Sequence, residues 1–202
     1  ASDRRLMPMG GRDPSDGRLF VIVGAGGAGG VAAETLRQAG YGGRLLMICR
    51  EPHSPYDRPN VSDAHLTGRV TAQDLPLRDD DFYAAHAIER RIGTVAALDV
   101  PSRAITLEDG ERLAPDAVLI ASGGTPNRLR VEGGDLDGVF TLRSVEDSEG
   151  IIADAQGKGA AVVVGASFIG LEVAASLTAM GVETTVVAPE EVPLERGFGA
   201  AI

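Results

Sequence analysis

The sequence predicts an α/β fold built on a parallel sheet, because the same local pattern occurs twice. In each copy a short apolar strand leads into a glycine-rich turn, and the turn leads into a helix. The copies start their turns at Gly24 and Gly165, 141 residues apart. With 202 residues, 44% of them hydrophobic, the chain can form one large core or two small ones.

The first copy covers residues 19–49. The run LFVIV at 19–23 is continuously apolar, which is typical of a strand buried on both faces of a parallel sheet. Helix formers at 31–38 end before Gly40, and RLLMIC at 44–49 predicts the next strand. The turn between the first strand and the helix reads G-x-G-x-x-G, with Gly24, Gly26 and Gly29. This order is the Rossmann-like context in which that motif is informative.

Each glycine of such a turn has a physical role. The first permits a tight turn, the second leaves space for a pyrophosphate, and the third lets the helix pack closely on the strand. The N–H groups at the helix N-terminus then bind the phosphates. Glu51 lies 22 residues after Gly29, about where an acid binds ribose hydroxyls. We therefore expect nucleotide binding here rather than a purely structural turn.

Between residues 70 and 125 the pattern changes to short strands. We expect strands at 92–98, 104–107 and 117–121, with a turn at 108–111. This predicts a small antiparallel excursion that returns to the main sheet.

The second copy has a strand at 160–164, a helix at 171–180 and a strand at 183–187. Its turn carries Gly165 and Gly170, but Ser167 replaces the middle glycine and narrows the space for a phosphate. Two such units imply either two nucleotides or a duplicated fold. Two nucleotides would suggest electron transfer between them.

The composition argues against several other classes of function. Asp and Glu number 29 against 19 Lys and Arg, a formal charge of −10, which disfavours nucleic acid as a partner. The single cysteine, Cys49, excludes an intramolecular disulfide and indicates a reducing compartment, so we expect a cytoplasmic protein. The apolar tract 160–182 is interrupted by glycines and by Glu172, so we expect no membrane span. The three histidines are isolated and indicate no metal site.

Several longer segments resemble one protein family. They are GAGGAGG, EPHSPYDRPNVSDAHLTG from Glu51, LPLRDDDFY from Leu75, AVLIASGGTPNRL from Ala117 and VVVGASFIGLEVAASL from Val162. Together they resemble the FAD-dependent pyridine nucleotide-disulfide oxidoreductases, in the branch of ferredoxin, rubredoxin and putidaredoxin reductases and apoptosis-inducing-factor-like proteins. The resemblance implies a linker at 1–18, the N-terminal part of an FAD-binding domain at 19–126 and an incomplete NAD(P)-binding domain at 127–202.

The resemblance also implies roles for individual residues. Those expected to bind FAD are Gly24, Gly26, Gly27, Gly29, Glu51, Arg58, Pro59, Ser122, Gly123 and Gly124. Those expected to face the NAD(P)H pyrophosphate are Gly165, Ser167, Phe168, Ile169 and Gly170. Glu172 matches an acid beside the nicotinamide and flavin rings.

Two departures from the family bear on activity. Asp63 stands where the family usually has a lysine that pairs with the acid matched by Glu172. Two carboxylates there would oppose reduction of a flavin. Only 37 residues remain after Gly165, about one βαβ unit. The alternative to an enzyme is therefore a non-catalytic nucleotide-binding fragment or remnant.

The remaining expectations concern the electron donor and acceptor. A redox-active cysteine pair near the flavin is absent from the sequence, so electrons would leave for an external iron-sulfur ferredoxin or rubredoxin-type carrier. In the second nucleotide unit the usual acid position holds Ala188, and Glu190, 20 residues after Gly170, is the nearest replacement. An acid there accepts hydrogen bonds from ribose hydroxyls and repels a 2′-phosphate, so NADH is favoured over NADPH.

Overall fold

The computed structural model describes residues 16–199, which form two compact units. The first unit contains the described residues up to Asp57 together with Pro76–Gly124. The second contains Arg58–Leu75 together with the described residues from Thr125 onward. The sequence predicts one domain boundary, after residue 126, so that each domain is one continuous segment. In the structure, Arg58–Leu75 packs with the second unit. Most of the expected linker at 1–18 lies outside the described residues.

The first unit is a parallel sheet with one antiparallel sheet beside it. Its elements are β1 (Leu19–Val23), α1 (Gly27–Gln38), β2 (Arg44–Cys49), α2 (Asp80–Ala85), β3 (Ile88–Ile92), β4 (Val95–Asp99), β5 (Ala104–Leu107), β6 (Arg112–Leu113) and β7 (Ala117–Ile120). The parallel sheet has the order β3-β2-β1-β7, and the antiparallel sheet has the order β4-β5-β6. The expected α/β class and the antiparallel excursion are both confirmed.

Alternate residues of β1 and β2 face opposite sides of the parallel sheet, so the first unit has two cores. One side packs against the helices through Ile22, Leu45, Met47, Ala33, Tyr83 and Ile88. The other side packs against the antiparallel sheet through Val21, Leu46, Ile48, Ile105 and Leu107. Because both faces are covered, the two central strands read as continuous apolar runs. The result is a three-layer arrangement.

The strand expected at 92–98 is wrong, because two strands occupy this region. β3 ends at Ile92 in the parallel sheet, where Gly93 N–H donates to the Cys49 carbonyl at 2.8 Å. β4 then starts the antiparallel sheet at Val95. β3 was not predicted from the sequence because it is a polar strand, IERRI, at the edge of the sheet. Its Glu89 forms an ion pair with Arg44 of β2.

A buried arginine ties α1 to the surrounding loops. The Arg37 guanidinium is 2% exposed and donates to the carbonyls of Tyr41, Gly43, His86 and Ala87 at 2.7–3.0 Å. A buried charge is tolerated when its hydrogen-bond donors are satisfied in this way. The arrangement fixes the C-terminal end of α1 and therefore the helix whose N-terminus carries the first glycine turn.

The second unit contains a smaller βαβ unit and a preceding helix. Its elements are two 3-10 turns (Arg58–Val61 and Ala72–Asp74), α3 (Val145–Ala155), β8 (Ala160–Val164), α4 (Phe168–Ala179), β9 (Glu183–Val187) and α5 (Glu195–Phe198). β8 and β9 pair in parallel. α1 and α4 begin four and three residues earlier than expected. In α1 the added residues are GAGG, whose low intrinsic helix propensity hid the start of the helix.

Candidate nucleotide-binding sites

The first glycine turn has one glycine for each of the three roles that a dinucleotide site requires. Gly24 has φ of +108°, and a Cβ there would lie 2.2 Å from the Ala121 carbonyl oxygen. A Cβ at Gly29 would lie 1.9 Å from the Gly24 carbonyl oxygen. By contrast, a Cβ at Gly26 or Gly27 would meet no heavy atom of the described residues within 4 Å. The outer glycines are thus required by the protein itself, and the middle ones face open space.

Gly26 is also the N-cap of α1, and it has no side chain with which to cap the helix. The first N–H groups of a helix lack partners within the helix and carry the positive end of its dipole. Open space in front of such groups fits a pyrophosphate. The residues of this turn therefore fit the phosphates of a dinucleotide.

Glu51 lies two residues after β2 and is held by a tyrosine. Tyr56 is 4% exposed, and its hydroxyl donates to Glu51 Oε2 at 2.5 Å. A buried tyrosine is thus a partner of the expected ribose-binding acid. One carboxylate oxygen is thereby oriented by a buried side chain.

The loop that carries Glu51 is fastened to α2 and β3 by a polar cluster. Arg90 donates to Ser54 Oγ at 2.5 Å and to Asp80 Oδ1 at 2.8 Å, and Ser54 donates to Asp80. Asp79 caps α2 by accepting from Phe82 N–H at 2.8 Å. Asp80, in the first turn of α2, therefore anchors this loop.

Ser122, Gly123 and Gly124 follow β7 and pass beside the first glycine turn. A Cβ at Gly24 would lie 2.9 Å from Ser122 Cα, so the two backbones are in close contact. Gly123 has φ of +69°, and a Cβ at Gly124 would meet no described atom within 4 Å. The structure thus brings this segment to the same end of the sheet as Gly24 and Gly26.

The second glycine turn repeats the geometry of the first within the second unit. Gly165 has φ of +112°, and a Cβ at Gly170 would lie 2.0 Å from the Gly165 carbonyl oxygen. Ser167 is the N-cap of α4 and, in the described part of the chain, makes no side-chain capping hydrogen bond. Phe168 and Ile169 follow with 57% and 51% of their surface exposed. This turn also fits a pyrophosphate. Ser167 places a hydroxyl at the position where the first turn has Gly26 and open space.

Glu172 and Asp63 have different partners. Glu172, in the first half of α4, accepts from Ser62 Oγ at 2.7 Å. Asp63 forms an exposed ion pair with Arg69. The two carboxylates therefore have separate hydrogen-bond donors, and their effect on the reduction of a flavin stays a prediction.

The other predicted residues lie in the second unit. Arg58 donates to the Arg143 carbonyl at 2.6 Å, and the Pro59 carbonyl oxygen lies 3.0 Å from Ser62 Oγ, whose hydrogen is donated to Glu172. Glu190 follows β9 and is partly exposed.

A buried network around residues 61–62 was not found from the sequence. Ser148 Oγ donates to the Val61 carbonyl at 2.9 Å and lies 2.9 Å from His65 Nδ1. A hydroxyl has one hydrogen, so Ser148 accepts from His65, whose Nδ1 carries the proton. Ser176 Oγ donates to the Ser62 carbonyl at 3.0 Å. Single serines and an isolated histidine give no local signal of such a network.

Other kinds of site are not found among residues 16–199. No group of His, Cys, Asp and Glu in this range could hold a metal ion. No helix in the range is long and apolar enough to cross a membrane. Burial raises the pKa of the Cys49 thiol, which is 6% exposed in β2. Such a thiol is a packing residue rather than a nucleophile.

The fold and the two turns define a class: α/β proteins with two dinucleotide-type βαβ units. The comparisons with known proteins agree and narrow the class. Residues 19–202 match the model of the family described as pyridine nucleotide-disulphide oxidoreductase. The chain belongs to this family, which confirms the resemblance found in the sequence.

Individual relatives lie in the expected branch. The chain is 39% identical over 183 residues to apoptosis-inducing factor 3 of Homo sapiens, covering 90% of this chain and 30% of that protein. It is 38% identical over 169 residues to rubredoxin-NAD(+) reductase of Pseudomonas putida, covering 83% and 44%. The crystal structure of a ferredoxin reductase from Rhodopseudomonas palustris superposes with a TM-score of 0.85 at 35% identity, covering 89% and 44%. The chain thus spans less than half the length of each of these relatives.

Proposed function

We propose that this chain is the nucleotide-binding part of an FAD-dependent NAD(P)H oxidoreductase of the ferredoxin reductase type. The observation that carries the proposal is the repetition of one geometry at two helix N-termini. In both turns the first glycine has a positive φ, and a Cβ at the last glycine would lie about 2 Å from the carbonyl oxygen of the first. Within residues 16–199, neither α1 nor α4 has a side-chain capping hydrogen bond at its N-terminus. Two such sites in one chain are suited to two dinucleotides, of which one donates electrons to the other.

In this proposal the first unit holds FAD through the turn at Gly24, Gly26, Gly27 and Gly29, with Glu51 on the ribose. The second unit holds NADH through the turn at Gly165–Gly170, with Glu190 favouring NADH over NADPH. Bound FAD supplies the redox chemistry, accepting hydride from the nicotinamide and passing single electrons on. The protein residues bind and orient the two cofactors and set the charge around them.

The proposed electron acceptor is an iron-sulfur ferredoxin or a rubredoxin-type carrier. The names of a rubredoxin reductase and a ferredoxin reductase among the relatives support this class of partner. A dithiol relay is not available in this chain, because Cys49 is its only cysteine and is buried. Electrons would therefore pass to an external carrier.

The test is direct. The purified chain is loaded with FAD, separated from unbound flavin and titrated anaerobically with NADH and with NADPH. We expect stoichiometric flavin and bleaching of its visible absorbance, faster with NADH. Bound flavin that neither cofactor bleaches would support the alternative, a non-catalytic nucleotide-binding module. Failure to bind flavin at all would reject the proposal for this chain.

A further inference from the structure

We propose that Ser62 is the positioning residue for the carboxylate of Glu172, and that Asp63 has no part in holding it. This deepens the proposed function, for which the family resemblance matches Glu172 to an acid beside the nicotinamide and flavin rings. The inference itself rests on contacts within the second unit. Ser62 Oγ lies 2.7 Å from Glu172 Oε2 and 3.0 Å from the Pro59 carbonyl oxygen.

The hydroxyl of Ser62 can hold Glu172 in either protonation state. It has one hydrogen and can also accept. When the carboxyl is ionised, the hydroxyl donates to it, because a charged acceptor at the shorter distance gives the stronger bond. When the carboxyl is protonated, it donates to Ser62 Oγ, and the hydroxyl hydrogen turns to the Pro59 carbonyl. No heavy atom has to move between the two states.

Ser62 is itself held in place from two helices. It is 3% exposed, and its carbonyl accepts from Ser176 Oγ at 3.0 Å. Glu172 and Ser176 are four residues apart on α4 and therefore lie on one face of the helix. On the other side, Ser148 of α3 donates to the Val61 carbonyl at 2.9 Å. The conformational entropy of this segment is therefore lost when the chain folds. Holding the Ser62 hydroxyl against Glu172 costs little further entropy.

Asp63 is directed elsewhere. Its side chain is 54% exposed and pairs with Arg69, whose side chain is 61% exposed. Arg69 is positioned in turn by Thr67 Oγ1, which accepts from Arg69 Nε at 3.0 Å and donates to the Asp63 carbonyl at 2.9 Å. The charge of Asp63 is therefore balanced by its own partner and screened by water. A neutral hydroxyl, rather than a charged neighbour, orients Glu172.

The first experiment detects the contact without any cofactor. The full chain is prepared with ¹³C-carboxyl glutamate, and the Glu172 signal is assigned with Glu172→Gln. We expect Ser62→Ala to shift this signal, Ser62→Thr to restore it, and Asp63→Asn to leave it in place. An unchanged signal in Ser62→Ala, or an equal shift in Asp63→Asn, would overturn the proposal. If Ser62→Ala does not fold, Ser62→Cys keeps the volume with a weaker donor and should shift the signal in the same way.

The second experiment measures the consequence in the FAD-loaded chain. Ser62→Ala should slow flavin reduction by NADH about tenfold at saturation, the value of one charge-assisted hydrogen bond, without changing the apparent Kd for NADH. Ser62→Thr should recover the rate. Ser102→Ala is the matched control, because it removes a serine–carboxylate bond of 2.6 Å to Asp99 on the exposed surface of the first unit. Equal slowing in Ser102→Ala, or an unchanged rate in Ser62→Ala, would contradict a positioning role. If wild-type chain binds no flavin, the proposed function fails, while the carboxyl signal still decides the role of Ser62.

Discussion

Replacing Gly26 by valine should abolish FAD binding and leave the fold intact. A Cβ at this position meets no described heavy atom within 4 Å, and φ of −81° with ψ of −167° is extended backbone that valine adopts readily. Losing glycine at the N-cap costs about 0.5–1 kcal/mol. The smaller entropy of the unfolded chain offsets this by about 0.4–1 kcal/mol. The free energy of unfolding should therefore change by less than about 0.5 kcal/mol.

The effect on binding should be much larger. The valine side chain would fill the open space in front of the first N–H groups of α1, where the pyrophosphate is expected. Two charge-assisted hydrogen bonds lost at about 1.5 kcal/mol or more each amount to at least about 3 kcal/mol. This corresponds to more than a hundredfold increase in the Kd for FAD. Quenching of flavin fluorescence on titration measures this Kd, and chemical denaturation measures stability.

Two control variants separate binding from folding. Gly29→Ala adds one carbon that would lie 1.9 Å from the Gly24 carbonyl oxygen, so α1 must move by at least about 1.1 Å to restore a 3.0 Å contact. We expect it to cost about 1–3 kcal/mol of stability. Gly17→Val is exposed and meets no described atom, and it should change neither property. If Gly26→Val binds FAD as wild type does, or loses as much stability as Gly29→Ala, the assignment of this turn is refuted.

Four further predictions follow from other parts of the structure. Tyr56→Phe removes the 2.5 Å bond to Glu51 and should weaken FAD binding about tenfold in the same titration. NADH should be preferred over NADPH in kcat/KM, and Glu190→Ala should reduce this preference; a wild-type preference for NADPH would reject the assignment. Burial raises the pKa of Tyr83 from 10.0 to about 12, so between these pH values the unfolded chain loses this proton first. The free energy of unfolding should therefore fall by up to about 2 kcal/mol as the pH rises through this range. Tyr83→Phe should remove this decrease, which chemical denaturation at a series of pH values measures. The Cys49 thiol should react slowly with a thiol reagent in the folded chain and quickly after denaturation, and equal rates would show that it is accessible.

The two glycine turns and the central strands can be predicted from the sequence alone. Gly24 and Gly165 need positive φ, which is a property of the single residue, and an apolar run such as LFVIV reports burial on both faces of a sheet. These features are local, so they can be read along the chain. β3 could not be predicted in this way. Its sequence, IERRI, has neither a continuous apolar run nor the regular alternation of apolar and polar residues that indicates a strand.

Which distant residues contact one another depends on the tertiary fold. Ser62 and Glu172 are 110 positions apart, and His65 and Ser148 are 83 apart. Their residue types are common in solvated loops, and nothing near them in the sequence marks them as partners. The turn at residues 58–63 determines that Ser62 faces α4 while Asp63 faces solvent, since successive side chains in a turn point in different directions. Contacts of this kind depend on where packing places each segment, and a local sequence pattern carries no information about that placement.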